Sequence, residues 1–287
     1  MKNWVSMMNL NVACVQLSSG ENLNKNIDSI RRLLKKNITE KIDLICLPEC
    51  TPLLTDSIKV IKKNIEDGKL EFFLDFIKKI SKSLNTFILI GSMPVQSRKN
   101  KFFNRSILID PKGKQVCFYD KINLFDVILD EKESYRESKN YDSGEVLKLF
   151  KLPWGKIGFS ICYDIRFPEM FRRLNKAGAV FFSIPAAFTL TTGKAHWETL
   201  LRARAIENGC FVFAAAQCGI NTATRKTFGR SMIIDPWGKI LARAKSIPTI
   251  IKARINIQDI LKARKKLPSI KSFQILESKN RGWAQNK

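Results

Sequence analysis

The sequence predicts a layered α/β fold in which two similar halves pack as one domain, sheet facing sheet with helices outside. Short β-rich apolar runs alternate with longer amphipathic runs along the chain, the pattern of a layered sheet-and-helix protein. The same order of strands and helices appears in both halves. A ten-residue hairpin signal also recurs, RSILIDPKGK at 105–114 and RSMIIDPWGK at 230–239. Each reads as a strand, a D-P-x-G turn and a return strand, with proline presetting the turn and glycine supplying positive φ.

The first half opens with a strand in NVACVQL (11–17). A helix follows in NLNKNIDSIRRLLKKNI (22–38), where apolar residues recur at helical spacing. IDLICLPE (42–49) is a buried strand ending at a proline, and a helical stretch runs to about Leu84. Strands are expected in FILIGSMPV (87–95) and in the first hairpin. In the second half KIGFSICYDI (156–165) is a strand, PEMFRRLNKAG (168–178) a helix closed by glycine, and AVFFSIPAA (179–187) a strand ending at a proline. HWETLLRARAIENG (196–209) is a helix with a glycine stop, followed by the strand CFVFAAAQC (210–218). Two facing sheets leave room for a site at their strand ends, where loops of both halves meet.

With 287 residues, 45% apolar and 26% charged, the chain has the composition of a soluble globular protein able to bury a large core. Its longest apolar stretch, AVFFSIPAAF (179–188), is too short to span a bilayer. The N-terminus lacks the long apolar run of a signal peptide. Residues 1–7 are read as a leader and 266–287 as a C-terminal tail. The net charge of +24 raises the question of an anionic partner. Its basic residues are spread over helix-like stretches (Lys35 and Lys36, Lys62 and Lys63, Arg172 and Arg173), and only KARKKLPSIKS (262–272) is dense. No specific nucleic-acid or membrane partner is expected from that pattern. The seven cysteines lie mostly in apolar runs without a C-x-x-C, and His196 is the single histidine. A reduced, cytoplasmic setting is expected, with no metal and no cofactor. Chemistry, if present, must run on cysteine, lysine and carboxylates.

Three positions supply those groups. Cys162, in ICYDIRFPE (161–169), ends an apolar strand and precedes a turn into a helix beginning near Phe167 or Pro168. That placement suits a nucleophile held rigidly at a sheet edge, with nearby positive charge favouring the thiolate. The plainer reading is a buried small residue like Cys14 or Cys46, against which the polar neighbours Asp164 and Arg166 argue. Glu49 in LICLPEC follows a strand and a proline; Lys121 in FYDKINLFDV lies between Asp120 and an apolar run. Each alone reads as an ordinary surface charge. Together they offer what a histidine-free amide hydrolase requires: a carboxylate to take and return the thiol proton, and a fixed ammonium for the oxyanion.

Glu49 in LPE, Lys121 in YDKINLFD and Cys162 in ICYDIRFPE resemble the Glu-Lys-Cys motifs of the nitrilase superfamily. Flanking agreement extends through VQLSSG, AFTLTTGKAHWETLLRARAIENG, AAAQCG and GRSMIIDPWG, from about Asn11 to about Asp259. The resemblance implies a four-layer α-β-β-α sandwich over residues 8–265, an acyl-thioester on Cys162, Glu49 as base then acid, and an oxyanion held by Lys121 and a backbone N–H after Cys162. Glu137 falls where the family often has a second carboxylate that positions the base or the water. Pairing into a homodimer or higher homo-oligomer is implied as well. Within the family the segments look most like the branch holding deaminated glutathione amidase and ω-amidase, which implies a small carboxylate-bearing amide substrate. N-carbamoyl and nitrile substrates, and a catalytically silent basic scaffold, remain alternatives.

Four weaker candidates surround the triad. Arg166 either binds a substrate carboxylate through its planar fork or braces the loop by pairing with Asp164 or Glu169. His196 begins a helix beside AFTLTTG and either lines the pocket or is structural. Phe188 and Thr189 border the acyl pocket by family analogy. Cys218 reads as buried and inert. Asn123 and Arg230 stand where the family often has histidine.

Overall fold

The computed structural model describes residues 8–97, 101–131 and 133–268; the expected leader (1–7) and the tail beyond residue 268 lie outside the described residues. Strand β1 (Asn9–Gln16) sends alternate side chains to opposite faces. Leu10, Val12 and Cys14 join the core between the sheets, while Ala13 and Val15 join the core under the outer helices. Helix α1 (Leu23–Asn37) buries Ile27, Ile30 and Leu34, and the Asn22 side chain caps it by accepting from the Lys25 N–H. β2 (Leu44–Cys46) repeats the division, Leu44 and Cys46 inward and Ile45 outward. The helical stretch to Leu84 is two helices, α2 (Ile58–Glu66) and α3 (Lys69–Leu84), because Gly68 breaks it with a φ of +65°. β3 (Phe87–Gln96), β4 (Phe102–Ile109) and β5 (Gln115–Asp120) complete the first half.

After a short hairpin, β6 (Asp126–Ile128) and β7 (Ser134–Arg136), the second half runs β8 (Leu149–Leu152), β9 (Gly155–Phe159), α4 (Pro168–Lys176), β10 (Ala179–Ser183), α5 (Leu190–Asn208) and β11 (Phe211–Ala214). A second small hairpin, β12 (Cys218–Ile220) and β13 (Lys226–Phe228), precedes β14 (Met232–Ile234) and β15 (Ile240–Arg243). β16 (Thr249–Asn256) and α6 (Gln258–Lys266) follow.

The two six-stranded sheets have orders β16-β1-β2-β3-β4-β5 and β8-β9-β10-β11-β14-β15. Each has three parallel central strands with one antiparallel neighbour on one side and two on the other. The halves therefore share one topology, and β16 returns to give β1 the edge partner that β8 gives β9. The D-P-x-G hairpins join equivalent strands. Asp110 Oδ1 accepts from the Lys112 and Lys114 N–H groups, and Asp235 Oδ1 from those of Trp237 and Lys239. Gly113 (φ +77°) and Gly238 (φ +83°) take the left-handed position. Helices cover the outer faces of both sheets, as where Phe171 of α4 meets Phe182 of β10 edge-on at 5.1 Å. The architecture is the expected four-layer α-β-β-α sandwich.

Several strands are shorter than the sequence reading, β10 ending at Ser183 and β11 at Ala214, and two differences bear on the site. Helix α5 begins at Leu190, six residues before His196, because Thr189 caps it by accepting from the Thr192 N–H. Gly193 is thus inside the helix, where a Cβ would collide with the Phe228 ring; the glycine permits a close helix–hairpin approach instead of breaking the helix. β9 ends at Phe159, three residues before Cys162.

Candidate active site

Cys162 opens a short 3-10 turn, Cys162–Arg166, with a φ of +51°. A β-carbon makes this left-handed conformation costly, and such strain is typically concentrated at functional positions. Its N–H donates to Pro185 O at 2.8 Å. Asp164 fixes the turn from beneath: its carboxylate accepts from Ile161 N–H (2.8 Å), Tyr119 hydroxyl (2.7 Å), and the Asn123 N–H and Nδ2 (3.0 and 2.8 Å). Burial pushes the Asp164 carboxyl up, an effect these hydrogen bonds oppose. Because Tyr119 and Asn123 flank Lys121, this carboxylate ties the lysine's segment to the cysteine's turn.

Glu49 follows β2, and Gln217 Nε2 donates to its backbone O at 2.9 Å, joining the two halves beneath the site. Glu49 Oε1 accepts from Lys121 Nζ (2.9 Å) and Asn104 Nδ2 (3.0 Å), and Oε2 accepts from the Ala187 N–H (2.8 Å). Lys121 Nζ also reaches Glu137 Oε2 at 2.8 Å, and that oxygen accepts from the Phe125 N–H at 2.7 Å. Asn104 Nδ2 donates to Glu137 Oε1 as well (2.9 Å), so one amide and one ammonium span both carboxylates. Glu49 and Lys121 are 3% and 2% exposed.

The charges follow from that burial. Desolvation works against the Glu49 carboxylate, but Lys121, the Cys162 thiol and Arg225 outweigh it and hold the carboxyl below its ordinary value. Desolvation likewise works against the Lys121 ammonium, and Glu137 and Glu49 overcome it, leaving the lysine firmly protonated. Burial and the Glu49 charge push the Cys162 thiol well up, beyond what Lys121 offsets. The sequence reading of a favoured thiolate is thereby corrected. The resting site holds a neutral thiol beside a charged Glu49. Moving the thiol proton to Glu49 leaves the net charge of the buried cluster unchanged, so the transfer needs no counter-ion from solvent.

These groups open into a cavity of about 610 Å³, within the range of small-molecule sites. Cys162, Glu49, Lys121, Glu137, Phe188 and Thr189 all line it. Arg166 and His196 do not. The Arg166 guanidinium rests 5.7 and 5.5 Å from the Tyr163 and Phe188 ring centroids. Its Nη2 donates to His196 Nδ1 at 3.3 Å. The alternative partner Asp164 is already saturated by other donors. Cys218 is buried, with burial raising its thiol to about 11. Asn123 and Arg230 lie outside the cavity lining: Asn123 holds Asp164, and the Arg230 carbonyl accepts from Trp197 Nε1 at 2.9 Å.

Sequence reasoning missed Asn104, the Ala187 N–H and Arg225. Asn104 left a signal, since it shares the inward face of β4 with Phe102, Ser106 and Leu108, and an amide there needs partners. The Ala187 N–H carries none, being a backbone group. Arg225 lies at the tip of the β12–β13 hairpin, far in sequence from every other site residue.

Comparison with known proteins agrees with this arrangement. The carbon-nitrogen hydrolase family matches residues 11–265. A protein of Yersinia enterocolitica named deaminated glutathione amidase is 39% identical over 95% of this chain and 96% of its own length. The crystal structure of the C. elegans NitFhit protein superposes with a TM-score of 0.87 at 31% identity, covering 93% of this chain and 65% of that one. Saccharomyces cerevisiae Nit3, described as a member of branch 10 of the nitrilase superfamily, gives 0.78 at 27% identity, with 96% and 97% covered. The chain belongs to the carbon-nitrogen hydrolase family of the nitrilase superfamily and is an amidase acting on non-peptide C–N bonds.

Proposed function

We propose that this amidase cleaves a small carboxylate-bearing amide of the deaminated glutathione type through a thioester on Cys162, with Glu49 as base and Lys121 as oxyanion stabiliser. The observation that carries the proposal is the buried Glu49–Lys121 pair, joined at 2.9 Å and lining the same cavity as Cys162. In the first half-reaction Cys162 Sγ attacks the amide carbon while Glu49 takes the thiol proton. The C–S bond forms and the carbonyl π pair moves onto oxygen, facing the Lys121 ammonium. Because the Cys162 N–H is committed to Pro185 O, the backbone donor for the oxyanion is the next one, Tyr163 N–H. Glu49 returns the proton to nitrogen, the C–N bond breaks, and the amine leaves an acyl-thioester. Water then loses a proton to Glu49 and attacks the thioester; the C–S bond breaks, the thiol is reprotonated and the carboxylic acid departs. Glu137 touches Lys121 and not the reacting atoms, which makes it a positioning residue.

The substrate class follows the named relatives, with α-keto acid monoamides of the ω-amidase kind as the second choice. Residues 8–265 are proposed as the catalytic unit, working without a cofactor, as a homodimer in the cytoplasm. Among the described residues no helix is long and apolar enough to cross a membrane. The test compares wild type and Cys162→Ala on deaminated glutathione, α-ketoglutaramate, an N-carbamoyl amino acid and a nitrile, following the released amine or ammonia. Cys162-dependent turnover highest on deaminated glutathione is expected. Full activity in Cys162→Ala overturns the mechanism; preference for the carbamoyl or nitrile compound overturns the substrate class.

A further inference from the structure

Of the cavity-lining cations outside the triad, Lys59, Arg136 and Lys139 are exposed, and Arg225 is the one that is largely buried. Its backbone is fixed at the hairpin tip: the Arg225 carbonyl accepts from the Asn221 N–H, the Arg225 N–H donates to Thr222 Oγ1 at 3.0 Å, and Asn221 Nδ2 donates to Ser19 O at 2.9 Å. The guanidinium is only partly engaged. Nη1 pairs with Asp56 Oδ1 at 3.0 Å and the group stacks 5.6 Å from the Tyr135 ring centroid. Nε is buried and has no hydrogen-bond partner. A buried, unfilled N–H on a permanent cation is expensive, and a fork filled on one side leaves the other for a second planar anion. The Arg225 charge is also felt at Glu49, the catalytic end of the same cavity.

We infer that Arg225, whose side chain keeps 16% exposure, is the specificity-determining residue that binds a carboxylate of the substrate through the part of its guanidinium that Asp56 leaves open. The inference rests on the carboxylate-bearing substrate class proposed above and assigns the residue that reads it. A deaminated glutathione-type substrate carries carboxylates on both the acyl and the amine side of the scissile bond, and the chemistry Arg225 recognises is common to the two.

The test measures binding by calorimetry to Cys162→Ala, which needs no turnover. Glutaramate is compared with neutral glutaramide for an acyl-side carboxylate, and N-butanoylglycine with N-butanoylglycinamide for an amine-side one. Adding Arg225→Gln is expected to weaken one of the two carboxylates by about 10-fold or more while leaving both neutral amides within about 2-fold. The arm that responds identifies the side. Arg225→Lys should recover part of the loss, and Asp56→Asn should retain carboxylate binding. Equal weakening of charged and neutral ligands, or an Asp56→Asn loss as large as that of Arg225→Gln, would make Arg225 a brace for the hairpin and overturn the inference. So would carboxylates that bind no tighter than their neutral counterparts, absent binding included. Failure of the functional reading is separate: it appears as Cys162-independent or absent amine release by the protein with Arg225 intact.

Discussion

Lys121 Nζ lies 2.9 Å from Glu49 Oε1, and both groups are almost wholly removed from solvent. A buried pair of this kind contributes little net stability over an apolar substitute, but removing one partner strands the other. Lys121→Met leaves Glu49 and Glu137 facing each other through Asn104 alone. The expected result is a loss of about 3 kcal/mol in stability and of about 10³-fold or more in kcat/KM. Chemical denaturation and steady-state kinetics measure the two; a variant with unchanged turnover removes Lys121 from the mechanism.

The pH dependence follows from the directions of three shifts. Glu49 is held below its ordinary value of 4.5, so its base form, and the stability it confers, persists above that value and is lost as pH falls through the depressed one. Lys121 is raised well above 10.5, so its contribution is complete below that value and lost only as pH rises through the higher one. Cys162 is raised above 9.0 and keeps its proton across the neutral range. The kcat/KM profile should be flat from about pH 5 to pH 9. The sole histidine is exposed on α5 and outside the cavity; a steep limb between pH 6 and 7 contradicts the assignment of Glu49 and Cys162.

Asn104→Ala removes the one amide that donates to both carboxylates. Because Asn104 holds the base and the lysine's second partner and does not meet the reacting atoms, kcat should fall about 10- to 100-fold with KM within about 3-fold. The acid limb of the profile should move upward as Glu49 loses a donor. A KM effect alone would make Asn104 a substrate contact instead.

Gly91→Ala tests the support of the base. A Cβ at Gly91 would collide with the backbone carbonyl groups of Leu47 and Pro48, and these residues lead directly into Glu49. The strand end must move, so thermal stability should drop and activity should fall further than the lost folded fraction explains. Retained specific activity in the folded fraction would show that Glu49 does not depend on this packing.

The sequence by itself determined the layers and the doubled topology, and it pointed to the residues proposed as the triad. Strand alternation in Leu10, Val12 and Cys14 and the repeated D-P-x-G turns are local signals, set by side-chain period and turn chemistry within a few residues. Glu49, Lys121 and Cys162 were legible because together they supply a base, an ammonium and a nucleophile without histidine, in segments that resemble the Glu-Lys-Cys motifs. Tertiary structure alone decided what those groups are worth chemically. The resting thiol arises from burial and from a carboxylate 113 positions away in sequence, and neither is a property of the segment ICYDIR. Likewise Asn104, the Ala187 N–H and Arg225 enter the site only because β4, the loop between β10 and α5, and the β12–β13 hairpin converge on one cavity. The start of α5 lies six residues before His196 because Thr189 caps the helix and Gly193 sits inside it as the contact point for Phe228. Local pattern fixes which elements form, whereas desolvation and long-range charge, which fix reactivity, depend on how those elements meet.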